Sequence, residues 1–153
     1  MTSLTTVSDR AHKHTPLRPP RPLYASCLLL SWTRYVRCLC TEWSGVQTEG
    51  PSNPLLRHNR IHHNGGAGFI AYQNGSGLLE SNNIYGNKKY GVQSKTGGHP
   101  TVRLNRIHDK VYGIYLTESG GGIYEENRIH NIRGTGIYVS SDCSPVLSNN
   151  HSA

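Results

Sequence analysis

Seven histidines lie between residues 51 and 153. Three of them, His62, His108 and His130, fall on a regular step, and Tyr85 fills the step between the first two. Imidazoles in a row can bind zinc or move protons. A metal there would need a carboxylate to orient the rings, and none shares the row. The row is read instead as an outward aromatic stripe. Tyr115 and Tyr138 form a second such pair, which with Tyr72 and Tyr112 suits a protein interface, where tyrosine is enriched.

Carboxylates give the other chemistry to weigh. Polysaccharide lyases and hydrolases need paired or clustered acids, for proton transfer or for calcium. The same stretch holds Glu80, Asp109, Glu118, Glu125, Glu126 and Asp142. Glu80 and Glu125 alternate with Arg57 and Arg103 at one repeat position, and the other four fall at different positions. No two acids stack, so no catalytic residue, metal or cofactor is expected. An enzyme would require Asp109, Glu126 and Asp142 to meet in one groove.

Cys27, Cys38 and Cys40 do not form a zinc pattern, since a second paired spacing is missing. The apolar run 24–32 is far below the ~20 residues that span a bilayer, so no membrane is expected. The net charge of +7 raises nucleic acid as a partner. It divides into +3 over residues 1–50 and +4 over residues 51–153, where Arg57 and Arg103 face acids. Nucleic acid is therefore not favoured.

What positions these side chains is a repeat. Asn59, Asn82, Asn105, Asn127 and Asn150 recur at an even step, with Asn105 to Asn127 one position shorter than the other three intervals. Ile61, Ile84, Ile107 and Ile129 follow the first four, and Gly68, Gly91, Gly113 and Gly136 follow further on. The one lost residue falls between Asn105 and Gly113. Short alternating runs broken by Asn and Gly suit strands of a few residues, and no helical stretch is present. The expected fold is all-β: a right-handed, single-stranded parallel β-helix of about four and a half coils, starting near residues 53, 76, 99, 121 and 144.

The columns have physical roles. The Asn column is an amide ladder. The Ile column, with Phe69, Val92, Ile114 and Ile137, and then Ala71, Ser94, Leu116 and Val139, points inward by alternation. The Gly column marks either a positive-φ turn or a close backbone approach. Arg57, Glu80, Arg103 and Glu125 place opposite charges on neighbouring coils, so the sequence unit is two coils. Residues 1–50 differ in kind: they hold no Asn, while residues 51–153 hold twelve. They are expected to be a basic, Pro-rich and mostly disordered leader. Residues 51–153 alone, with two open ends, are expected to be poorly soluble.

The string NPLLRHNRIHHNGGAGFIAYQNGSGLLESNNIYGNKKYGV resembles the β-helix repeats of animal F-box-only proteins of the type numbered ten and eleven. HPTVRLNRIHDKVYGIYLTESGGGIYEENRIHNIRGTGIYV repeats the same two-coil alternation. The resemblance spans residues 53–150. It implies substrate reception for a cullin-based ubiquitin ligase, without chemistry on the receptor, in the cytoplasm and also the nucleus. The partner would be a target protein; ligase adaptor and cullin would join only through an F-box. Residues 1–50 contain no F-box pattern, so a fragment lacking that module is expected.

Overall fold

The computed structural model describes residues 37–39, as strand backbone, and 43–153. The basic arm, the run 24–32, Cys27 and Cys40 lie outside the described residues, as does any zinc site built from them.

Among the described residues, sixteen strands follow one another with no helix between them. They fall into three parallel sheets. Sheet 1 takes β1 (Arg37–Leu39), β4 (Arg60–His62), β7 (Asn83–Tyr85), β10 (Arg106–Lys110), β13 (Arg128–Ile132) and β16 (His151–Ser152). Sheet 2 takes β2 (Val46–Glu49), β5 (Phe69–Tyr72), β8 (Tyr90–Ser94), β11 (Tyr112–Leu116) and β14 (Ile137–Val139). Sheet 3 takes β3 (Leu55–Arg57), β6 (Leu78–Glu80), β9 (Thr101–Arg103), β12 (Ile123–Glu125) and β15 (Val146–Ser148). Each third strand pairs with its predecessor in parallel, so the chain winds as a coil.

The register is the one the Asn steps require. Ile61 pairs with Ile84, Ile84 with Ile107, and Ile107 with Ile129. All four are fully buried. Each such side chain contributes roughly 1.5–3 kcal/mol through lost water contact. Phe69, Val92 and Ile114 form the second buried row, and Leu56, Leu79, Val102 and Tyr124 the third. In the last coil Val139 and Leu147 take inward positions but stay 38 % and 44 % exposed, because no coil covers them.

The stack begins earlier than the repeat suggests. Strand β1 pairs with β4, and β2 with β5. Residues 37–39 and 43–50 of the expected leader thus belong to the solenoid, which among the described residues makes five turns and one further strand rather than four and a half. Val46 and Thr48 are buried against Phe69 and Ala71, their register partners on the next coil. Gly45 adds a member to the Gly column. This turn lacks the Asn–Ile signature that marks the others, but its inward positions can be filled without it.

The Gly column resolves in favour of close approach. None of its members has positive φ. A methyl at Gly68 would lie 2.6 Å from Ile84 Cγ2 and 2.8 Å from the Gly91 carbonyl oxygen. Backbone bends occur elsewhere. His58, Ser81, Leu104, Glu126 and Asn149, each just before a column Asn, have φ of 50° to 57°. A second set, His63, Gly86, Asp109 and Asn131, lies four residues after the column Asn at φ of 53° to 59°. Leu104 is half exposed and has no reason of its own to be left-handed. Leu104→Asn is expected to raise stability by about 1 kcal/mol in urea melts, since Asn tolerates this region far better.

Candidate interaction surface

The amide ladder holds the coil corners. Asn82, Asn105 and Asn127 each accept at Oδ1 from the backbone N–H of the preceding column Asn, at 2.8–3.0 Å. Their Nδ2 groups donate back to the carbonyls of Leu56, Leu79 and Val102, at 2.8–2.9 Å. Asn150 ends the row with the same two bonds. A second ladder escaped the sequence reading. Asn64 and Asn87 are fully buried, and Asn64 donates to Asn87 Oδ1 from both its backbone and its amide.

Lys110 stands at the next step of that second ladder. It is 3 % exposed, and its Nζ has no hydrogen-bond partner among the described residues. Burial holds its amine down to about 7, only partly countered by Asp109. Lys110 keeps the same offset from Asn105 that Asn64 and Asn87 keep from Asn59 and Asn82, but a lysine there carries no mark of an amide ladder.

Because the coil has three sheets, it presents three outward faces of different chemistry. Sheet 3 carries the charge ladder. Glu80 pairs with Arg57 and, at 2.6 Å, with Arg103 Nη2. Partial loss of water works against its charge, but the two guanidinium groups outweigh this and hold Glu80 below its ordinary value. Glu125 is level with Arg103 in register, yet no ion pair joins them among the described residues. The alternation is therefore complete in sequence but bonded only around Glu80.

Sheet 2 carries tyrosines. Tyr115 stacks on Tyr90 at 4.4 Å and on Tyr138 at 4.7 Å, centroid to centroid, and Tyr112 meets its edge. Tyr90 thus belongs to the cluster, where the sequence placed Tyr72. The Tyr72 hydroxyl instead bonds Glu49 on the preceding coil.

Sheet 1 carries the histidine row as a continuous stack. Centroid separations are 4.8 Å from His62 to Tyr85, 5.2 Å from Tyr85 to His108 and 4.8 Å from His108 to His130. The rings are within 16° of parallel. Partial burial is the main cause holding His62 and His130 below the ordinary imidazole value, and neighbouring cations add to it. The expectation that no carboxylate orients these rings is corrected. The bend at Asp109 turns its carboxylate to His108 Nδ1 at 2.6 Å, while His108 Nε2 meets Asn83 Oδ1 at 2.8 Å. Both ring nitrogens of His108 are thereby engaged.

Beside the rings runs a row of cations: Arg60, Arg106 and Arg128, all exposed, with Asn83 between the first two. Arg60 Nη2 donates to the Tyr85 hydroxyl at 2.7 Å, and Arg106 Nε donates to His130 Nε2 at 3.0 Å. In each case an Arg reaches a ring on the next coil.

The three acids in question occupy different corners. Asp109 is the next-to-last residue of β10, Glu126 lies between β12 and β13, and Asp142 follows β14 and accepts from the Ser119 backbone N–H at 2.7 Å. No bond among the described residues joins any two of them. Nor does any group of three or more His, Cys, Asp or Glu residues among the described residues suit a metal ion. No helix there is long and apolar enough to cross a membrane.

A family model for the right-handed β-helix region matches residues 38–152. The chain belongs to that family. The match opens at β1, the same strand at which the coil opens, and runs to β16. It supplies the right-handed sense of a β-helix whose parallel pairing is set by the ladders above. No solved structure matches the chain.

Proposed function

We propose that this β-helix is a non-catalytic protein-binding module of the kind that presents a target to a cullin-based ubiquitin ligase. The observation that carries the binding reading is the paired outward rows of stacked rings and ordered guanidinium groups, running across successive coils, with the carboxylates dispersed. Such rows offer an extended contact surface and no reacting centre. The ligase setting comes from the resemblance of the two-coil Arg/Glu alternation to F-box-only proteins. On that reading the chain acts in the cytoplasm and nucleus, with adaptor and cullin joining only through an F-box.

Affinity capture of the chain from cells tests this. A discrete protein is expected to co-purify and to carry ubiquitin, and overexpressing the chain should lengthen its half-life by competing with the resident ligase. A purified chain that releases sugar ends from an acidic polysaccharide, and retains no protein, would replace this reading with a carbohydrate-active one.

A further inference from the structure

We infer that the outward face of sheet 1 docks an acidic, extended segment of a protein partner, laid along the coil axis across the row Arg60, Arg106 and Arg128. This deepens the protein-binding reading above and rests on it.

Charge complementarity selects the partner. Sheet 3 neutralises itself around Glu80. The described strands of sheet 2 contain no Lys or Arg, and Glu49 is their only charge. Sheet 1 alone presents unbalanced exposed cations. The single acid in its strands is Asp109, whose oxygens are already taken up by His108 and by Asn131 Nδ2 at 3.3 Å. The arginines are also ordered in advance. Arg60 and Arg106 each use an N–H on a ring of the next coil. A guanidinium has five N–H donors, so several still face outward in a fixed fork suited to carboxylate.

Spacing points to an extended segment. Arg106 and Arg128 sit on adjacent coils, which lie ~4.8 Å apart, and Arg60 sits two coils before Arg106. Same-side carboxylates of an extended chain recur every ~6.6 Å, within reach of long arginine side chains on such a ladder. Single-stranded nucleic acid fits less well. It is held by bases stacking on open ring faces. Here the interior rings of the row stack on each other on both sides, leaving mainly their edges outward.

The test is fluorescence anisotropy of the full chain with three labelled probes of roughly twelve residues or nucleotides: alternating Glu-Ser, alternating Lys-Ser and oligo-dT. Two double variants lose the same charge: Arg106→Gln with Arg128→Gln, and Lys88→Gln with Lys89→Gln in the exposed turn before β8. Circular dichroism melts verify that both fold. The Glu-Ser peptide is expected to bind best, and the arginine double variant should lose about tenfold in affinity. The lysine pair should lose far less. Equal losses in the two variants, tighter binding of oligo-dT, or no peptide binding would each overturn the docking face. A cellular partner retained equally well by the arginine variant would also overturn it, while leaving the protein-binding reading intact. Loss of every protein partner from the wild-type chain would instead sink that broader reading.

Discussion

Replacing Gly91 with alanine is expected to unfold the middle of the solenoid, lowering stability by more than about 3 kcal/mol in denaturant titrations. The added methyl would lie 2.5 Å from Ile107 Cγ2 and closer still to the Gly113 carbonyl oxygen. That oxygen is backbone of the neighbouring coil, so it cannot swing aside as a side-chain tip can. Relief requires the coils to separate where β8 and β11 pair, and Ile107 is fully buried beneath. Gly50→Ala is the informative comparison. Gly50 has φ of 58° with nothing within 4 Å of an added Cβ, so its cost is only the left-handed conformation, about 1–2 kcal/mol. If Gly91→Ala cost no more than Gly50→Ala, close approach would not be the reason for the Gly column.

The second large effect has the opposite sign: Lys110→Asn should stabilise the protein by about 2–4 kcal/mol at pH 7. The amine is desolvated and has no hydrogen-bond partner among the described residues, at the next step of the ladder that Asn64 and Asn87 form. An Asn at this position offers Oδ1 to the Asn87 backbone N–H, as Asn87 does for Asn64. Lys110→Met, which keeps the volume without the charge, should also stabilise.

The pH dependence follows from linkage. The folded amine titrates at about 7 and an unfolded lysine near its ordinary 10.5, so between those values the unfolded chain binds more protons. Stability therefore rises as pH increases from 7, by up to ~1.4 kcal/mol per unit. The lowered histidines, His62 and His130, complete their own contribution below that window. The raised thiol of Cys143 begins to oppose this rise only from about pH 9, and the raised Tyr124 and Tyr115 only from about pH 10. Melting temperatures at pH 7, 8 and 9 should rise in the wild type and stay nearly level in both variants. A flat wild-type profile would show that Lys110 Nζ has a partner in solution.

The repeat was legible where a side chain does a job that only one residue type can do. An Asn that accepts from one coil and donates to another must recur at each turn, so the even step of the Asn column set the register of the three sheets. The inward Ile positions followed from it. The positive-φ bends were not legible, because His58, Ser81, Leu104 and Glu126 have nothing in common but their place before the Asn. Their strain is offset by the ladder bond that follows each. The first turn was hidden because Val46 and Thr48 fill the core without an Asn or Ile, although Gly45 stands one full step before Gly68. Lys110 was hidden because a lysine at the ladder position looks like an ordinary surface cation, although it stands one even step after Asn87.

The interaction surface was legible as a row of rings but not as a face. Spacing aligned His62, Tyr85, His108 and His130. The guanidinium row beside them emerged only when strand register put Arg60, Asn83, Arg106 and Arg128 on one sheet. Asp109 looked like an isolated acid because nothing in its neighbours announces the bend that turns it back to His108. The glycines and low charge of the chain therefore describe a scaffold, and what distinguishes its three sides is which side chains alternation turns outward.

The most direct measurement of the central claim, that the coil holds a protein on sheet 1, is site-specific photocrosslinking in cells. A benzophenone amino acid placed at Tyr85 keeps an aromatic ring in the stack, and one placed at Arg57 on sheet 3 serves as reference. Crosslinks from position 85 to a discrete protein, and few from position 57, are the predicted result. Adducts at position 85 confined to nucleic acid or polysaccharide, or equal protein adducts from both positions, would contradict it.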